Sequence, residues 1–219
     1  ELAMLILKVG QLIDGTGAPA ARNVAVSIES GRIQNIKPAS AVADVEREVV
    51  DLGDATLMPG FIDAHVHLMF DAGPDHTTVR AVLAGDSAEM ATLRAARNAQ
   101  RALLAGVTTV RDCGGRDFTT LALRDAVAEG VLLGPRIIAA GPSITTTRGH
   151  LFYLNMEADS QDEVIKAGRQ VVKAGADFVK VCVTGGNMTA GSNAIVPQYS
   201  QETLSALVVD AHRLGRKVS

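Results

Sequence analysis

Pro59-Gly60-Phe61-Ile62-Asp63-Ala64-His65-Val66-His67-Leu68 decides how this chain is read. Side chains alternate along a β-strand, so Asp63, His65 and His67 share one face while Ile62, Ala64, Val66 and Leu68 share the other. Neighbouring same-face positions stand about 7 Å apart, which lets two imidazoles converge on one cation. Histidines at i and i+2 also occur as ordinary hydrogen-bonded members of half-buried strands. The apolar opposite face, the leading Asp63 and the Pro-Gly entry favour a metal.

Upstream of this stretch the apolar runs are short and bounded by turns: Leu5 to Val9, Val24 to Ile28, Ile33 to Ile36 and Val49 to Leu52. Asp14-Gly15-Thr16-Gly17 and Ser30-Gly31 separate them, the latter suited to a tight hairpin. Residues 1–59 therefore read as part of a small β-sandwich domain. Downstream the rhythm becomes strand, loop, helix. Strands are expected at Phe61 to Leu68, Val107 to Cys113, Arg136 to Gly141 and Phe178 to Thr184. Ser160-Gln161-Asp162-Glu163 is a capping box, and Ser200 suits the N-cap of a last helix. Alternating strands and helices imply right-handed βαβ units around a parallel sheet. Four units are visible and Lys217-Val218-Ser219 begins a fifth strand, whereas a complete eight-stranded barrel takes about 250 residues. Residues 60–219 thus read as the first half of a TIM-like (β/α)8 barrel, giving an α/β chain.

A second chemical signal is Asp177-Phe178-Val179-Lys180-Val181-Cys182-Val183-Thr184. Val179, Val181 and Val183 form an apolar outward face, so Phe178, Lys180 and Cys182 point inward. An inward ammonium needs a partner. Lys180 either pairs with an acidic neighbour, reaches water at the rim, or is a neutral amine able to take up CO2 as a carbamate. For Cys182 a small buried hydrophobe is the default reading. His212 reads as structural, and His76 as a surface or substrate-facing residue of the first βα loop.

Bulk properties exclude several functions. The 219 residues carry 21 Lys+Arg against 24 Asp+Glu, a net charge of −3, which argues against phosphate neutralisation. Aromatics are 3% with no Trp, so there is no platform for stacking bases. No apolar run approaches a membrane span and no signal peptide is visible. Cys113 and Cys182 suggest no disulfide framework. The expectation is a soluble cytoplasmic protein with neither nucleic acid nor membrane as partner.

The combination of Pro59–Leu68, Gly106-Val107-Thr108-Thr109-Val110-Arg111-Asp112 and Phe178-Val179-Lys180-Val181 resembles the amidohydrolase superfamily, nearest its prolidase-like, imidazolonepropionase-related branch. The resemblance covers essentially the whole chain. It implies a hydrolase of amide or dipeptide-type C–N bonds with two divalent metal ions, zinc expected. It places His65 and His67 on the more buried metal, carboxylated Lys180 between both metals, and His150 against the substrate. The family's further ligands, histidines on strands five and six and the strand-eight Asp that moves protons, are not in this sequence. The 219-residue polypeptide alone is therefore expected to be inactive. The parent is expected to be a homo-oligomer acting on a small-molecule amide or dipeptide. The alternatives are a mononuclear deaminase or cyclic-amide hydrolase of the same superfamily, or a non-catalytic half-barrel that self-associates through its open edges.

Overall fold

Residues 1–60 build one five-stranded sheet in the computed structural model, which describes all residues except 1–3, 43–47, 72 and 74. Its strands are β1 (Leu5–Leu12), β2 (Ala21–Glu29), β3 (Arg32–Pro38), β4 (Glu48–Asp51) and β5 (Thr56–Leu57). They lie in the order β3-β2-β1-β4, with β5 also on β1. Ser30 and Gly31 have φ of 50° and 72°, the two left-handed residues that a type I′ hairpin between β2 and β3 requires. Val9, Leu12, Val24 and Val26 are buried together in a small core, while every residue of β3 is exposed.

Phe61–Ser219 is a separate compact unit. It begins with β6 (Phe61–Val66), α1 (His76–Gly85), α2 (Ala88–Leu104), β7 (Val107–Asp112), α3 (Thr119–Ala128) and β8 (Arg136–Ala139). It continues with β9 (Ile144–Thr145), β10 (Met156–Glu157), α4 (Gln161–Lys173), β11 (Phe178–Val179), α5 (Gln201–Arg213) and β12 (Lys217–Val218). β6, β7 and β8 form a parallel sheet in chain order, β11 pairs in parallel with β12, and Asp177 N–H donates to Ala139 C=O at 2.9 Å. This is the strand order of the first part of a TIM-like barrel. Among the described residues no helix is long and apolar enough to cross a membrane.

The helices form where their ends are satisfied and one stripe is apolar. Ser160 and Glu163 close the expected capping box on α4, and the Ser200 hydroxyl accepts the Thr203 N–H at the start of α5. Val164 and Val171 of α4 and Leu207 of α5 are buried in one core with Val179 and Val181. Phe178, the residue of opposite parity, is buried instead with Cys113 and Ala140. The two faces of the fourth barrel strand therefore meet different surroundings, as the alternation requires.

Two local departures from the sequence reading matter for the site. The regular strand β11 is only two residues long, yet hydrogen bonding continues past it on both sides: Val181 N–H donates to Ser219 C=O at 3.0 Å, while Ile144 N–H donates to Lys180 C=O and Cys182 N–H to Ile144 C=O, each at 2.8 Å. In addition, β6 is bulged. Asp63 pairs with Val110 but Val66 pairs with Asp112, so three steps on β6 match two on β7. Such a bulge re-aims side chains, and strict alternation no longer carries Asp63 onto the histidines' face. On the apolar face of this stretch Ile62 is 71% exposed, whereas Val66 and Leu68 pack in the core.

Candidate metal centre

His65 and His67 lie at the C-terminal end of the first barrel strand, one inside the bulge and one just past Val66. The bulge has its own partners: Asp63 Oδ1 accepts the His65 N–H at 3.2 Å, and Arg111 Nε donates to Ala64 C=O at 2.6 Å. Beyond it, Cys113 N–H returns the chain to the ladder by donating to Val66 C=O at 2.8 Å. The result brings the two imidazoles together with ring centroids 5.5 Å apart.

The His67 ring is fixed on both sides. Phe70 stacks on it at 4.8 Å. Its Nδ1 lies 2.7 Å from Gly114 C=O. A carbonyl only accepts, so Nδ1 carries the proton and Nε2 keeps its lone pair. Burial pushes His67 down to about 4; the Gly114 carbonyl opposes this, and the neighbouring His65, Lys180 and His150 add to it. Burial, then Lys180 and Arg111, likewise hold the exposed His65 below the usual histidine range, against Asp63. Both rings are neutral bases at neutral pH, the form that binds a metal.

Lys180 is half-buried and sits at the electrostatic centre of this region. Its charge lowers His65, His67 and His150 and opposes the burial that raises Cys113 and Cys182. Among the described residues no carboxylate pairs with it, so the acidic partner that sequence reasoning allowed is not there.

His150 belongs to the loop after β9, which is braced rather than loose. Thr147 N–H and Oγ1–H both donate to Asp159, at 2.7 and 2.6 Å, and Asn155 Nδ2 donates to His150 C=O at 3.1 Å. The imidazole lies against the Gly186 backbone so closely that a Cβ there would fall 2.0 Å from Nδ1. That Nδ1 is buried without a hydrogen-bond partner, and burial followed by Lys180 lowers the ring's basicity. His76 opens α1 and His212 lies in α5; both are exposed, and neither joins the group. Pro74, in the first βα loop, lies outside the described residues.

These positions suit a divalent cation: two neutral imidazoles, one with its proton committed to a carbonyl, beside an amine lacking a carboxylate. Among the described residues no group of three or more His, Cys, Asp or Glu forms. A separate cleft of about 530 Å³, lined by Phe118, Leu154, Met156 and Lys173 among others, holds none of these residues. Sequence reasoning assigned no role to Gly114, whose carbonyl bonds the His67 ring directly, or to Asp112 and Ser143, which hold the Gly114 turn. The available signal was an Asp closing the strand Val107 to Asp112.

The model of the amidohydrolase family matches residues 56–219. The chain belongs to that family. Ochratoxinase of Aspergillus niger is 29% identical over a 251-residue alignment that covers 100% of this chain and 50% of the ochratoxinase. Imidazolonepropionase of an Arthrobacter species is 34% identical, covering 71% of this chain and 36% of that protein. A crystal structure of a Xaa-Pro dipeptidase with methionine bound in its active site superposes with a TM-score of 0.86 at 31% identity, covering 99% of this chain and 56% of that one. This amidohydrolase chain spans about half the length of the ochratoxinase it matches.

Proposed function

We propose that the protein is a metal-dependent hydrolase of C–N bonds, acting on an amide or dipeptide-type substrate through a pair of divalent ions, zinc expected. Residues 1–59 are the N-terminal part of its small β-sandwich domain, and the intact enzyme is a homo-oligomer. The observation that carries the reading is the placement of Lys180 near His65 and His67 with no carboxylate paired to it among the described residues. An ammonium there would repel a metal ion. Addition of the neutral Lys180 amine to CO2 forms an N–C bond, releases a proton, and turns the repelling group into a carboxylate that attracts the ions. In this scheme His65, His67 and carbamylated Lys180 would hold the ions, and His150 would contact the substrate. When bound, the metal supplies a Lewis acid and an acidified water. The protein fixes the His67 proton on Nδ1, keeps the two rings neutral, and presents His150 from a braced loop. The names of the relatives, an ochratoxinase and a Xaa-Pro dipeptidase, support amide-type substrates over other C–N bonds.

Metal analysis of the purified intact protein tests this. Wild type should carry zinc or a similar ion, and His65→Ala/His67→Ala should lose most of it along with hydrolysis of N-acyl amino acids and dipeptides. A double variant with full metal content would refute the assignment.

A further inference from the structure

We infer that Asp112 is a positioning residue for His67, acting through the Gly114 turn that follows β7. Asp112 is the last residue of β7, is fully buried, and has no cationic partner among the described residues. Its Oδ2 accepts the Leu68 N–H at 2.8 Å and its Oδ1 accepts the Gly114 N–H at 3.2 Å. Leu68 directly follows His67, and the Gly114 carbonyl accepts the His67 Nδ1 proton at 2.7 Å. One carboxylate thus grips both the backbone that carries the imidazole and the peptide that orients it.

The turn has little freedom otherwise. Gly114 adopts φ of 136°, and a Cβ on it would lie 2.2 Å from Ser143 Oγ. That hydroxyl donates to Cys113 C=O at 3.0 Å, tying the turn to the segment after the third barrel strand. Among side chains of this length, only a carboxylate offers two acceptors and no donor. Asparagine would set its amide N–H against either the Leu68 or the Gly114 N–H. A hydrophobe would leave both amides unpaired in the core. Burial raises this carboxyl to about 7, and the Leu68 and Gly114 N–H groups oppose that by favouring its ionised form.

This inference rests on His67 as a metal ligand, and the test separates the two. In the intact protein, zinc affinity is measured by chelator competition and the His67 tautomer by 15N-detected NMR of the metal-free form. Asp112→Asn should weaken zinc binding about 10- to 100-fold, the usual effect of losing a group that orients a ligand, and mix the Nδ1–H and Nε2–H tautomers. Wild-type affinity with an unmixed Nδ1–H tautomer in that variant would overturn the inference. If wild type itself binds no zinc, the metal reading fails, and the tautomer comparison alone decides the role of Asp112. Should Asp112→Asn fail to fold, Ser143→Ala loosens the same turn without touching the buried carboxyl. It should weaken zinc binding several-fold and mix the tautomers; an unchanged tautomer and affinity there would equally overturn the inference.

Discussion

Two imidazoles, a third on the next loop but one, and a lysine with no carboxylate partner among the described residues form an arrangement whose chemistry depends on single atoms. If Lys180 works as a carbamate, Lys180→Ala of the intact protein should lose nearly all activity and regain part of it with added short-chain carboxylates and metal. An unchanged rate would remove Lys180 from the site. His67 makes a pH prediction for the metal-free protein. Its folded value of about 4 lies below its unfolded value of 6.5, so between those pH values the unfolded chain binds more protons and stability rises with pH. The stability difference between wild type and His67→Gln should therefore grow from pH 4 to 6.5, by up to about 3 kcal/mol, and stay level above. Denaturant titrations across that range check it. At Gly186 a methyl group would collide with the His150 ring. Gly186→Ala should raise KM several-fold while costing about 1–3 kcal/mol of stability, the usual range for overpacking; an unaltered KM would separate His150 from the substrate.

Helix α4 has a purely supporting part. Its Val164 and Val171 back Val179 and Val181, which set the parity that turns Lys180 the other way. Ser160→Ala removes the acceptor for the Glu163 N–H and half of the capping box. About 1 kcal/mol of stability should go with it, seen as a lower urea midpoint, with kcat unchanged because Ser160 is none of the candidate site residues. Gly168 shows how closely α4 meets α5, since a Cβ there would lie 2.7 Å from Leu207 Cδ1. Arg169 and Asp210 clasp the same pair of helices with two hydrogen bonds, at 2.7 and 2.9 Å.

For the molecule as a whole, the edge of β6 is the exposed feature. Phe61 is 56% and Ile62 71% exposed, and β6 has a ladder partner on one side only among the described residues. Barrels remove such edges by closing, and open apolar edges template association. Produced as a 219-residue polypeptide, the chain should self-associate and show no amide hydrolysis, because three candidate ligands cannot furnish a binuclear centre. Sedimentation velocity checks the first part, and Ile62→Lys should shift the distribution toward monomer. A well-behaved monomer with turnover would contradict both.

Several features were legible in the residues alone because they follow from short-range rules. The Ser30-Gly31 hairpin, the Ser160 capping box, the Ser200 N-cap and the opposite surroundings of Phe178 and Val179 all arise from local dihedral and periodic constraints. So does the pairing of His65 with His67. The bulge in β6, the Gly114 turn and the burial of Asp112 were not legible, since each depends on a strand register, or on side chains more than forty residues away in sequence. A period of two tells which way a side chain points. Only the folded neighbours decide what it meets there, and that is why an inward lysine could be read from its strand while its lack of a carboxylate partner could not.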